Sequence, residues 1–76
     1  MEKGILYKDI RNQEKRGNLV VVTKFLMTQN NTKTAIVVVV RANEPYFLGL
    51  TERVFPEDFG SFKRIGKAYD HPEYFL

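Results

Sequence analysis

The sequence has no cysteine and no tryptophan, a single histidine, three prolines and five dispersed glycines. Without thiols there are no disulfide staples, no thiolate nucleophile and no zinc site of the kind built from sulfur ligands. One imidazole does not make a His-rich metal site. Long apolar runs are missing too: the longest, Ala35 to Val40, falls far below the ~20 residues of a membrane helix. The N-terminus lacks the basic start, apolar core and small-residue cleavage site of a secretory leader, so a cytoplasmic protein is expected. No stretch carries a 3.6-residue apolar period long enough for a long helix, and there is no internal repeat or low-complexity tract.

What is present describes one small domain. At 76 residues the chain has no room for a second domain or for an inter-domain cleft, which disfavours most cofactor enzymes. Hydrophobic residues make up 43%, and six Phe and four Tyr argue against disorder. The net charge of +3 hides a split. Residues 1–42 hold eight Lys/Arg against three acids, and residues 43–76 hold four against six. A basic half attracts phosphate backbones and steers association.

The pattern is β throughout. Gly4–Ile10, Leu19–Thr28, Thr34–Ala42, Tyr46–Thr51 and Phe62–Ile65 read as strands, rich in β-branched and aromatic residues. Arg11–Asn18 is a polar loop, and Gln29–Lys33 has the Asn-rich chemistry of a tight turn. Pro45 interrupts the ladder, and Gly49 suggests a bulge. Pro56-Glu57-Asp58-Phe59 reads as one helical or 3₁₀ turn before the last strand. The fold class expected is all-β: a five-stranded antiparallel SH3-like barrel over residues 1–68, followed by an aromatic tail at 69–76. The alternative is an open antiparallel sheet that pairs with a second copy.

Tyr7-x-Asp9, Gly17-x-x-Val20-x-Val22, a second Val-rich strand, and Leu50, Phe55 and Phe59 leading to Phe62-Lys63-Arg64 resemble small prophage-encoded SH3-like barrel proteins of unknown function. The resemblance covers about three-quarters of the chain; the Asn-rich turn and the tail after Gly66 depart from it. It implies a phage or mobile-element accessory protein and brings no catalytic residues with it.

The two valine-rich strands are apolar on both faces, more than one small barrel needs for its interior. Strict alternation puts Leu19, Val21, Phe25 and Met27 on one face of the second strand and Val20, Val22 and Leu26 on the other. In the third strand it sets Ile36, Val38 and Val40 against Ala35, Val37 and Val39. Val20, Val22, Val37 and Val39 are therefore expected on a covered face, under Tyr74 and Phe75 of the tail or against a homodimer or protein partner.

Candidate chemistry is sparse. Asp70-His71-Pro72-Glu73 has metal-ligand residue types but too few ligands, and Glu57-Asp58 suits a helix start better than acid catalysis. No enzyme activity, cofactor, metal or small-molecule substrate is expected. The residues expected to meet a partner are Tyr7, Arg11, Lys15, Arg16, Tyr46, Lys63 and Arg64. The first function read from these residues is a non-enzymatic module that binds a host or self protein. The alternatives are a weak nucleic-acid binder using Arg11, Lys15, Arg16, Lys63, Arg64 and Lys67, and a self-assembling structural subunit.

Overall fold

The computed structural model describes residues 1–11 and 15–75, and for Phe75 the backbone alone. Five strands form one antiparallel sheet: β1 (Ile5–Asp9), β2 (Leu19–Met27), β3 (Lys33–Arg41), β4 (Thr51–Val54) and β5 (Phe62–Lys67). Their order is β4-β3-β2-β1-β5, and no pairing joins β4 to β5, so the sheet is open. The remaining regular structure is short 3₁₀ turns at Pro45–Phe47, Pro56–Ser61, Ala68–Asp70 and Pro72–Phe75. Three of them open with proline, whose fixed φ and missing N–H suit a first helical position. Among the described residues no helix is long and apolar enough to cross a membrane.

Composition and turn chemistry account for the long β2–β3 hairpin. Asn31 takes φ 62° at its tip, the left-handed conformation that asparagine tolerates. The Thr28 N–H donates to the Thr32 carbonyl at 2.9 Å, and the Thr32 N–H donates to Thr28 Oγ1 at 3.1 Å. The fourth strand starts later than the sequence suggests. Tyr46–Thr51 is apolar enough for a strand, but Pro45 starts a 3₁₀ turn there instead. Gly49, with φ 78°, and Leu50 then bond back to Val39, and regular pairing begins at Thr51.

One face of the sheet carries the main core: Ile5, Tyr7, Val20, Val22, Ala35, Val37, Val39, Val54 and Phe62. This corrects the expected sidedness. Val20, Val22, Val37 and Val39 line the sheet's own interior, and the second apolar face is formed by Leu6, Leu19, Val21 and Val38. The register explains part of the shift. The β2–β3 ladder slips between Val22 and Lys24 and again between Leu19 and Val20, so Thr23 and Val40 are extra residues. Such bulges reverse the in–out alternation beyond them. Phe25 accordingly packs with the core on the side of Val22, not with Val21.

The second face is covered by the chain's own C-terminal segment. Leu6 pairs with Gly66 across β1–β5 and is 0% exposed. A Cβ on Gly66 would stand 3.2 Å from His71 Nε2, so the missing side chain lets the histidine lie close to the strand. His71 stacks on Tyr74 at 5.8 Å between ring centroids, and the Arg41 guanidinium lies 5.6 Å from the Tyr74 ring. The turn at Pro72–Phe75 thus packs on β3. Phe75, also expected on this face, has its side chain outside the described residues.

Candidate functional site

The most organised polar group of the molecule forms where β1 ends. Asp9 is the last residue of β1, and its carboxylate is pinned from its own chain. The Arg11 N–H and Nε donate to Asp9 Oδ1 at 3.0 and 3.1 Å, and Arg11 Nη2 donates to Oδ2 at 2.7 Å. The same guanidinium reaches Glu52 of β4, with Nη1 donating to Oε2 and Nη2 to Oε1, the latter at 2.9 Å. Lys15 Nζ adds a contact to Glu52 Oε1 at 3.5 Å. The Phe62 ring supports the guanidinium at 4.7 Å.

Arg11 thus ties the end of β1 to β4, three positions away in the sheet order with β2 and β3 between them. The hydrogen bonds to Glu52 and then to Asp9 raise the Arg11 pKa against the cost of burial. The bond from Arg11 holds the Glu52 carboxyl below its usual value and outweighs the opposing effect of burial.

Beside this network lies a cleft of about 300 Å³ lined by Asp9, Lys15, Asn18, Val39, Phe47, Leu50, Thr51 and Glu52. One wall is apolar and the other carries the charges. Among the described residues two carboxylates and two cations balance there, which suits a neutral group. Asn18 enters it through a turn in which Gly17 takes φ 88°; the Gly17 N–H donates to the Asp9 carbonyl at 2.9 Å. The Asn18 side chain is buried, and its Oδ1 has no hydrogen-bond partner among the described residues. Of the exposed residues in the Tyr46–Leu50 run, Leu50 lines this cleft and Leu48 lines a second cleft with Arg41 and Tyr74. Tyr46, 62% exposed, sets its ring 4.5 Å from that of Phe47.

The structure separates the residues expected to meet a partner. Tyr7 belongs to the core at 6% exposure, and its hydroxyl accepts the Glu2 N–H at 2.9 Å. A buried phenol with a satisfied hydroxyl is a packing residue, which corrects its expected surface role. Arg11 and Lys15 are held by Asp9 and Glu52. Arg16 is exposed, and its carbonyl accepts from Asn43 Nδ2 at 3.5 Å. Tyr46 is exposed, with its ring against Phe47 of the cleft wall. Lys63 and Arg64 lie on β5, Arg64 within 3.4 Å of a Glu2 carboxylate oxygen.

The second basic spot, on β5, divides between the two faces, with Arg64 paired to Tyr7 on the side of Phe62. Arg11 rests on Phe62, but Lys63 pairs with Lys8 and faces the other side of the sheet. In the tail cluster, His71 Nδ1 lies 3.3 Å from Glu73 Oε1 while its ring packs on Tyr74.

None of Asp9, Asn18, Phe47, Leu50 and Glu52 is among the residues the sequence marks for partner binding, and Asp9 and Leu50 enter there only through the family resemblance. An acid two residues before an arginine at a strand end was the one readable hint. Glu52, 41 residues from Arg11, left none. The chain matches no protein-family model, no curated protein and no solved structure.

Proposed function

We propose that this chain is a non-enzymatic protein-interaction module of the SH3-like barrel type, an accessory protein of phage or mobile-element kind. It docks a partner protein through the Tyr46–Leu50 ridge and the cleft beneath it. The strand order, the loop after β1 and the 3₁₀ turn before β5 support the barrel reading. The Arg11 bridge supports it as well, by holding the sheet curled where the backbone ladder is open.

The observation that carries the docking reading is the ridge itself. Tyr46, Leu48 and Leu50 stay exposed around half-buried Phe47, within five consecutive residues beside a concave, charge-cancelled site. Covering such side chains contributes about 1.5–3 kcal/mol each when burial is complete. Apolar patches bordered by polar groups mark interaction surfaces. The loop cations Arg11 and Lys15 are engaged with acids, which weakens the alternative in which this loop grips phosphates.

The test is affinity capture from a lysate of the source organism, treated with nuclease and washed at about 0.5 M salt, where exposed charge contacts are screened. Wild type is compared with a Tyr46→Ser, Leu48→Ser, Leu50→Ser triple variant. A protein retained by wild type and lost from the triple variant is the expected result. Equal capture by both, or capture that nuclease abolishes, overturns the proposal.

A further inference from the structure

The strand register places cations together in a way the sequence does not display. On the face opposite the main core, Lys63 pairs with Lys8, Lys8 with Leu19, and Leu19 with Arg41, forming one row across four strands. Beyond the apolar row of Leu6, Val21 and Val38 lies a second charged row, in which Lys24 pairs with Ile36 and Ile36 with Arg53. Five cations from five strands therefore share this face, with the C-terminal segment packed over its apolar middle and Glu73 in a cleft with Arg41. The only acids in the strands are Asp9 and Glu52, and both sit on the other side, bound to Arg11. None of the five lies within ion-pair distance of a carboxylate among the described residues.

Lys8 and Lys63 are direct cross-strand neighbours, and like charges placed so repel and destabilise the pairing. A folded chain that bears this repulsion has an electrostatic demand which an anionic ligand meets. We propose that this face binds the phosphodiester backbone of a nucleic acid, without sequence preference, as a surface that meets the docking ridge at Arg41, which lines a cleft with Leu48.

Its geometry suits repeating point charges. Neighbouring strands are ~5 Å apart, so within each row the cations stand at about one or two strand spacings. Lys8, Lys24, Arg53 and Lys63 are exposed, and Arg41 lines a cleft with Glu73 and Tyr74. An anionic membrane fits less well. Peripheral membrane binding inserts large apolar side chains beside the cations; here Leu6 and Leu19 are buried, and Leu26 beside Lys24 is 37% exposed. Backbone-only contact reads charge and spacing, not bases.

The test is fluorescence anisotropy of a labelled oligonucleotide of about 20 residues, single-stranded in one arm and duplex in the other, titrated across salt concentrations. Full engagement of the five cations predicts a log–log salt slope of about −3.5 for the single strand and about −4.5 for the duplex. Lys63→Glu and Arg53→Glu should each weaken binding about tenfold or more and flatten the slope by at least about one. Arg16→Glu makes the same change in net charge on the loop and should leave affinity within about threefold.

Lys63→Glu also replaces the repulsion with an attractive pair to Lys8. A melting temperature at or above wild type shows that its lost binding is not unfolding. Absence of salt-dependent binding, or equal loss from Arg16→Glu, overturns the proposal. So does binding only to phosphatidylserine vesicles. Because the docking ridge is untouched by these substitutions, the capture experiment reads that surface independently.

Discussion

Arg11 shows how one side chain can settle the shape of a small sheet. Its guanidinium satisfies a carboxylate that is 3% exposed, while its own side chain is 15% exposed. Arg11→Met leaves the Asp9 charge buried and unpaired, a defect costing about 3–5 kcal/mol. For a domain of this size that lowers the melting temperature by more than about 10 °C, measurable by calorimetry or urea titration.

Glu52 is the more exposed partner, and it supplies a pH dependence. Its folded pKa is depressed below 4.5, so its contribution to stability is present above that value. The contribution is lost as the pH falls from about 4.5 through the lower folded value, where the folded state too takes up the proton. Glu52→Gln should flatten this part of the stability–pH curve and cost about 1 kcal/mol at neutral pH. An unchanged acid limb in urea titrations between pH 3 and 6 contradicts that assignment.

At the scale of elements, the strands were legible and their faces were not. β-branched composition placed β1, β2, β3 and β5 within a few residues of their observed bounds. Period-two counting then failed at Thr23 and Val40, because a bulge adds a residue without changing composition. The Tyr46–Leu50 run was misread for a different reason. Its residues favour a strand, while the ring of Pro45 and the following turn geometry leave Phe47 and Leu50 lining a cleft. The Asp9–Arg11–Glu52 site was illegible because it forms only after the sheet curls.

The C-terminal segment is the element with the most direct test. It lies over Leu6 at Gly66 and over β3 through Tyr74, so removing residues 69–76 uncovers a face that is apolar in its middle. The expected result is a loss of about 2–4 kcal/mol, or self-association that hides the same surface in a second copy. Sedimentation and thermal melting together read both; no change in either contradicts the covering role. Gly66→Val should mimic part of the effect by pushing against His71.

For the whole molecule, the charge split read from the sequence resolves into a distribution in space. The acids of the sheet are consumed inside, and cations face outward with few partners. Salt should therefore stabilise the fold. Raising sodium chloride from about 0.05 to 0.5 M screens the Lys8–Lys63 repulsion and the net charge of +3, and the melting temperature should rise by a few degrees. A fall would mean that the attractive pairs, exposed Arg64–Glu2 and half-buried Lys15–Glu52, outweigh that repulsion.

The open sheet leaves two strands, β4 and β5, each with one unpaired border. Such borders template runaway stacking of copies, the route by which β-rich chains form fibres. β5 presents Lys63, Arg64 and Lys67, so an antiparallel neighbour of the same sequence would bring cation against cation along most of its length. β4 is only four residues long and includes Arg53. The fold thus guards its borders by charge and brevity instead of closure, and a strand added there without penalty would need to carry acidic residues.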